Sequence, residues 1–139
     1  MKVSVIKQYS VFMPNRPGAL ARLADLFRDA GVNIIGIASE VRDDSGLVRI
    51  ALDGEADHSA ILSRAGFASV EMRLLSVEVA DEPGQLSQIT RTLAEGGINI
   101  TTVYGTAFGK KSRILIAVEK TDKALKLLQE DLETSEATG

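Results

Sequence analysis

The feature that most constrains the fold of this 139-residue chain is an internal repeat. Val77–Val103 aligns without a gap to Val11–Ile37, so the two copies lie 66 residues apart. The identities between the copies are Val11/Val77, Pro17/Pro83, Gly18/Gly84, Leu20/Leu86, Gly31/Gly97, Asn33/Asn99 and Ile34/Ile100. Since a fixed period indicates repeated structural units, we predict two copies of one fold. The boundary near Phe67 gives units 1–67 and 68–139.

Each copy begins with the pattern of a strand followed by a helix. Tyr9, Val11 and Met13 alternate with other residues, which predicts a strand with one buried face. Pro17-Gly18 then ends the strand and indicates the start of a helix. An apolar stripe facing a sheet is predicted at Leu20, Leu23, Ala24 and Phe27, and again at Leu86, Ile89 and Leu93. Gly31 and Gly97 stand where a helix C-cap is expected.

The remainder of each copy predicts two strands and a second helix. The predicted strands are Asn33–Ala38 and Leu47–Leu52, then Asn99–Tyr104 and Arg113–Val118. Turn residues separate them at Asp43–Gly46 and Gly109–Ser112, and helices follow at about 57–65 and 121–132. Only the polar tail Glu133–Gly139 lacks periodicity, so disorder is expected there alone.

One further strand is needed to turn this β-α-β-β-α order into a ferredoxin-like βαββαβ unit. Val70–Leu74 supplies it for the first copy. The 66-residue offset aligns Val3–Gln8 with Ser69–Leu74, so the N-terminal segment is the counterpart strand for the second copy. The predicted fold class is therefore α+β. It comprises two ferredoxin-like units with antiparallel sheets and helices on one face, and the N-terminal strand completes the C-terminal unit.

Composition excludes several classes of function. The net charge of −3 and the short basic run Lys110-Lys111 argue against nucleic-acid binding, and 4% aromatics argue against an RNA-reading sheet. No apolar run reaches the length of about 20 residues that a membrane span needs, and no signal peptide is present, so a cytoplasmic protein is expected. Without cysteine, and with His58 as the single histidine, we expect no catalytic residues, no metal and no cofactor.

Two short motifs resemble the signature of the ACT domain. The first runs through Asn15–Leu20 and continues at Ala30–Ile34; the second runs through Asp81–Leu86 and continues at Gly96–Ile100. The resemblance covers nearly the whole chain. It implies a free-standing tandem ACT protein that is not an enzyme, binds a small amino acid at interfaces between paired domains, forms a homodimer and regulates a partner enzyme of amino-acid metabolism.

The start of each first helix suits the carboxylate of an amino acid, because helix N-termini present N–H groups and a partial positive charge. The expected ligand-binding residues are Asn15, Gly18, Ala19, Leu20, Asn33, Ile34, Asp81, Gly84, Gln85, Leu86, Asn99 and Ile100. The asparagines follow from the resemblance as partners of the ammonium group, with Asp81 in place of the first loop asparagine. Since Asn15-Arg16 faces Asp81-Glu82 in the alignment, the two sites are expected to differ in affinity or ligand.

Two alternatives remain open at the level of the sequence. Pro-Gly and the polar loop residues serve equally well as turn and capping residues without any ligand. Ile34–Ile37 and Ile114–Val118 are apolar at successive positions, which indicates cover on both faces or a sheet edge that pairs with another chain. A protein-interaction or oligomerisation module without a small-molecule ligand is therefore the rival function.

Overall fold

A computed structural model describes residues 1–42 and 45–138 of the chain. The elements are β1 (Lys2–Pro14), α1 (Ala19–Asp29), β2 (Ile34–Arg42), β3 (Ser45–Leu52), α2 (Ser59–Arg64), β4 (Ala68–Ala80), α3 (Gln85–Glu95), β5 (Ile100–Phe108), β6 (Lys111–Val118) and α4 (Thr121–Thr138). Asp43 and Asp44 of the first predicted turn lie outside the described residues. Among the helices of the described ranges, none is long and apolar enough to cross a membrane.

The chain divides into two compact units. The N-terminal unit is Ile6–Arg73, and the C-terminal unit combines Met1–Val5 with Leu74–Gly139. The division falls inside two 13-residue strands, β1 and β4, so each of these strands contributes to both units.

In the N-terminal unit the strand order is β2-β3-β1-β4. Strand β3 pairs antiparallel with β1, from Lys7↔Leu52 to Pro14↔Ser45, and with β2, from Ile34↔Leu52 to Arg42↔Ser45. Both helices pack on one face of these strands. The buried core consists of Tyr9, Val11, Met13, Leu23, Phe27, Val48, Ile50, Leu52, Leu62 and Phe67.

In the C-terminal unit the strand order is β1-β4-β6-β5. Strand β6 pairs antiparallel with β4 and β5, and Lys111 lies opposite both Ala80 and Phe108. The core of strands and helices is Leu75, Val77, Val79, Ile89, Leu93, Ile98, Ile114, Ile116, Val118, Ala124 and Leu128. Met1, Val3 and Val5 pack against this core. The N-terminal strand thus completes the C-terminal unit, and the predicted α+β fold class is confirmed.

The two apolar runs noted in the sequence have different surroundings. Strand β6 lies between two neighbours and is buried on both faces, since Leu115 and Ala117 are as buried as Ile114 and Ile116. Strand β2 is an edge strand, and Ile37 is 51% exposed there. Ile34–Ile37 therefore belongs to an edge strand, and Ile114–Val118 belongs to an inner strand that is buried on both faces.

Three local predictions need correction. Leu20, Ala24 and Leu86 belong to the predicted buried stripe but are exposed, because the cores are filled by Leu23, Phe27 and Ile89 among others. Each first helix begins after the Pro-Gly pair and not within it. Helix α4 continues to Thr138 through most of the polar tail, since Glu and Ala favour helix and the helix is anchored at Ala124 and Leu128.

Candidate functional site

The Pro-Gly loops of the two units share one backbone geometry. Gly18 has φ 86° and ψ −15°, and Gly84 has φ 93° and ψ −12°. The Ala19 N–H donates to Arg16 O at 3.3 Å, and the Gln85 N–H donates to Glu82 O at 3.5 Å. These values define a type II turn with proline at its second position and glycine at its third, where φ must be positive. The turn directs the chain from the end of the strand into the helix.

The turn places the first-turn amides of each helix at an exposed loop. The Arg22 N–H donates to Gly18 O, and the Gln88 N–H donates to Gly84 O, both at 3.0 Å, so helical bonding starts at the glycine. The amides before that point, such as those of Leu20 and Leu86, have no acceptor within their own helix. No acidic residue stands in the first turn of either helix. A negatively charged group is therefore favoured at both loops.

The polar residues of the two loops have different surroundings. Asp81 is tied to the β5–β6 turn, because its N–H donates to Lys110 O at 2.8 Å and its Oδ1 accepts from Ser112 Oγ at 3.2 Å. Asn15 is exposed, as is Asp81. In the C-terminal unit, Asp81 thus holds its loop against the β5–β6 turn, in addition to any role in ligand binding.

Asn33 and Asn99 follow the C-caps of the first helices. The Val32 N–H donates to Phe27 O, and the Ile98 N–H donates to Leu93 O, both at 2.9 Å. Gly31 and Gly97, at φ 70° and 72°, are the left-handed residues of this Schellman motif. The C-cap prediction is confirmed, and the motif leaves both asparagines exposed immediately before an edge strand.

Within one unit the predicted binding residues form two groups at opposite ends of the sheet. Ile34 pairs with Leu52, which lies opposite Lys7 on β1, whereas the Pro-Gly loop follows Pro14. Seven residues of strand at about 3.3 Å each separate the two ends by about 23 Å. The C-terminal unit repeats this arrangement, because Ile100 pairs with Val118 while the second loop follows Ala80 opposite Lys111. No single unit brings its loop and its asparagine together.

A polar network in the N-terminal unit was not anticipated from the sequence. The buried Tyr9 hydroxyl accepts the His58 N–H at 2.8 Å and lies 3.3 Å from Glu71 Oε1 and 3.4 Å from Asp57 Oδ1. Lys7 forms an ion pair with Glu71. Burial raises the pKa of the Tyr9 hydroxyl, and the hydrogen bond that Lys7 donates to Glu71 raises the pKa of Lys7. The network attaches the loop before α2 to strand β1.

A second unanticipated feature is a pair of exposed apolar positions that recurs in both units. Leu20 and Ile37 are 48% and 51% exposed, and their counterparts Leu86 and Val103 are 51% and 49% exposed. One member of each pair lies on the first helix and the other on the edge strand of its unit. The alignment shows that these equivalent positions are apolar in both copies, but only the strand order shows that they are exposed.

Across residues 1–42 and 45–138, no group of three His, Asp or Glu side chains forms a metal site.

Two ferredoxin-like units, each with the same Pro-Gly loop before its first helix, define the class of α+β protein to which this chain belongs. The sequence profile described as an ACT domain pair matches residues 4–135. The chain therefore belongs to the family of ACT domain pairs, which are regulatory modules.

Solved structures with the same fold support this assignment. Protein BT0572 from Bacteroides thetaiotaomicron is similar, with a TM-score of 0.82, 22% identity, and coverage of 93% of this chain and 90% of that one. The regulatory subunit of aspartate kinase from Thermus thermophilus gives a TM-score of 0.61 at 14% identity, with coverage of 94% and 96%. The alpha and beta subunits of an aspartokinase give 0.64 at 19% identity, with coverage of 96% and 98%. At these identities the likeness shows the fold. No protein of curated function matched the sequence.

Proposed function

We propose that this protein is a regulatory module that binds a small amino acid at interfaces between its units or between two copies of the chain. The observation that carries the proposal is the recurrence of one exposed turn-and-helix-start geometry, with Gly18 and Gly84 at the same backbone angles. The turn leaves unpaired helix amides beside exposed polar loop residues in both units, which is an arrangement that suits the carboxylate and the ammonium group of an amino acid. The likeness to regulatory subunits of aspartate kinase favours the same class of function.

The chemistry of an amino acid fits the two groups of residues. Its carboxylate suits the amides of Gly18, Ala19 and Leu20 in one loop and those of Gly84, Gln85 and Leu86 in the other. Its ammonium group requires oxygen acceptors, which Asn15 or Asp81 and the strand-opening residues Asn33 and Asn99 provide. Ile34 and Ile100, which are half-buried, would contact the side chain of the ligand.

A homodimer formed at edge strands would bring these two groups together. Strands β2 and β5 lie at the ends of their strand orders and carry the exposed Ile37 and Val103. If such an edge pairs antiparallel with the edge of a second copy, the start of one strand lies beside the end of the other. Because the edge strands end at the Pro-Gly side of each unit, Asn33 or Asn99 of one copy would lie near a Pro-Gly loop of its partner.

The two loops would not bind equally. Asp81 carries a negative charge where Asn15 is neutral, which strengthens the attraction for an ammonium group. The same carboxylate already accepts from Ser112, so binding competes with a hydrogen bond that holds the loop. We infer that the N-terminal and C-terminal sites differ in affinity, and that occupancy is communicated to a partner enzyme of amino-acid metabolism.

A thermal-shift screen with the twenty amino acids tests the proposal. A ligand present at 100 times its dissociation constant stabilises the protein by about 2.7 kcal/mol, which raises the melting temperature by several degrees. Asn15→Ala and Asp81→Ala, made separately, assign the signal to a unit. Glu130→Ala, at an exposed glutamate of α4 outside the proposed binding residues, is the control and should leave the shift unchanged.

The rival function is an oligomerisation module with no small-molecule ligand, which the exposed apolar positions on the edge strands favour. It predicts self-association without any amino-acid-dependent shift. If no amino acid changes the melting temperature while the chain still dimerises, the sensor proposal is wrong and the rival stands.

A further inference from the structure

Each unit contains a surface cavity at the same place in its fold. The first, of about 560 Å³, is lined by Phe12, Met13, Pro14, Glu40, Ser45, Gly46 and Leu47. The second, of about 350 Å³, is lined by Met1, Lys2, Glu78, Val79, Ala80, Lys110 and Lys111. Residues 12–14 and 78–80 are repeat counterparts at the 66-residue offset, as are Ser45 and Lys111. The duplication therefore produced two equivalent cavities where the central strand meets a β-hairpin.

The two cavities have diverged in chemistry. Where the first has Phe12, the second has Glu78, and the counterpart of Leu47 is Arg113, which forms an ion pair with Glu78. Lys111 replaces Ser45, and Lys2 also lines the second cavity. Among the described residues that line the first cavity, Glu40 is the single charged one, and it forms an ion pair with Arg49. The described lining of the first cavity is thus mostly apolar, whereas three lysines line the second.

The charge balance at the second cavity favours an anion. Arg113 pairs with Glu78, and three lysines line the cavity. The hydrogen bond from Arg113, with Lys2 and Lys111 nearby, lowers the pKa of the Glu78 carboxyl. Asp81 and Glu82 follow in the adjacent loop and keep their negative charges, since the hydrogen bond from Ser112 to Asp81 does not neutralise a carboxylate, but the three lysines outnumber them. Like charges held together cost free energy unless a counter-charge is bound.

We propose that the cavity formed by Lys2, Glu78, Lys110 and Lys111 is a binding site for a small phosphate-bearing anion, present in the C-terminal unit alone. Lysine ammonium groups act as point charges that suit phosphate. A cavity of about 350 Å³ accommodates a phosphate group together with a small organic portion. The site borders the proposed amino-acid site, because Lys110 O accepts the Asp81 N–H, but it requires neither the helix amides nor the loop asparagines.

Titration of the intact protein with inorganic phosphate, followed by calorimetry and by amide chemical shifts, tests the proposal. Saturable binding of one phosphate per chain is expected, with the largest shifts around Ala80, Lys110 and Lys111. Acetate at matched ionic strength should bind at least several-fold more weakly, because it carries a single charge. Acetate binding as tight as that of phosphate would overturn the phosphate assignment, and titration without saturation would overturn the site.

Matched variants separate a built site from general electrostatic attraction. Lys110→Gln with Lys111→Gln should weaken phosphate binding by about tenfold or more, since each charged contact contributes substantially. Lys120→Gln with Lys126→Gln removes the same charge from exposed positions beyond the other end of β6, and should change affinity by less than about twofold. If both double variants weaken phosphate binding equally, the change in net charge explains the effect and the proposal is wrong.

Glu78→Gln distinguishes an anion site from a cluster of residues with only a structural role. Removal of its carboxylate frees Arg113 for the anion, so phosphate should bind several-fold more tightly in this variant. Unchanged or weaker binding, in a variant that keeps its fold by amide spectra, would contradict the proposal. Failure of the amino-acid screen would leave these phosphate results unaffected, so the two proposals can be rejected separately.

Discussion

At the scale of single residues, the chemistry of the Pro-Gly pair decides how each unit starts its first helix. Gly18 and Gly84 have positive φ angles that only glycine adopts without strain. An added Cβ would meet nothing within 4 Å at either position, so any cost of substitution arises from the backbone. These residues are therefore required for turn geometry whether or not a ligand is bound.

Gly18→Ala and Gly84→Ala should each destabilise the protein by about 1–2 kcal/mol, the cost of a left-handed conformation for an L-residue. Urea denaturation measures the change. Gly46→Ala is the control, because a Cβ there makes only ordinary contacts, the nearest at 3.5 Å from Met13 O. A loss at Gly46 equal to that at Gly18 would show that the backbone angle is not the cause.

The Glu78–Arg113 ion pair predicts a dependence of stability on pH. Arg113 lowers the pKa of Glu78 from its ordinary value of 4.5, so the folded state holds the carboxylate more strongly than the unfolded chain does. The contribution is present above pH 4.5 and is lost as the pH falls through the lower folded-state pKa. In phosphate-free buffer, Glu78→Gln should cost about 1 kcal/mol at pH 7. The difference from the parent protein should shrink progressively as the pH falls below 4.5, and a constant difference would refute the ionic explanation.

At the scale of elements, two long strands shared between units distinguish this fold from a simple chain of domains. Apolar alternation predicts a strand at Tyr9–Met13 and the 66-residue offset predicts a strand in Val3–Gln8, and the structure joins them as β1. The sequence did not show that these segments are continuous. Lys7 and Gln8 between them resemble a polar break, but both pair with β3, Lys7 forms an ion pair with Glu71, and Gln8 is buried.

Val3→Ser combined with Val5→Ser should destabilise the C-terminal unit by about 2 kcal/mol, because both side chains are partly buried on its core. Amide hydrogen exchange should accelerate in α3 and β6 more than in β3. Phe12→Ser is the control on the same strand, since Phe12 is 52% exposed and its loss should have little effect. Faster exchange confined to residues 6–73 would contradict the assignment of the N-terminal strand.

At the scale of the whole molecule, the two edge strands determine what the protein can assemble with. An exposed edge with apolar side chains is a template for pairing, and natural proteins usually protect such edges. Here Ile37 and Val41 on β2 and Val103 on β5 are each about half exposed or more. These positions are the expected dimer contacts of the proposed sensor.

Ile37→Lys and Val103→Lys should shift a dimer toward monomer by at least tenfold in dissociation constant, because a charge is poorly tolerated in the core of an interface. Sedimentation equilibrium measures the change. Phe12→Lys serves as the control, since Phe12 is equally exposed at 52% but lies on β1, which has β3 and β4 as neighbours. Equal dissociation caused by Phe12→Lys would exclude the edge strands as the specific interface.

The sequence by itself determined the local structure of this protein and its duplication. The Pro-Gly pairs, the C-cap glycines and the apolar stripes recur at the same spacing in both copies. They can be read from the sequence because turns, caps and helices depend on short-range sterics and hydrogen bonding. The bounds of the two units as the repeat gives them, 1–67 and 68–139, stay a prediction.

Only the tertiary structure decided which positions are neighbours. It placed the loop residues and Asn33 about 23 Å apart in one unit, because strand register sets distance and register depends on long-range pairing. It exposed Leu20 although the helical pattern assigned that residue to the core, since burial depends on what the other elements cover. It also brought Lys2 beside Lys110 and Lys111, which are more than a hundred residues away in the chain, and so formed the cationic cavity.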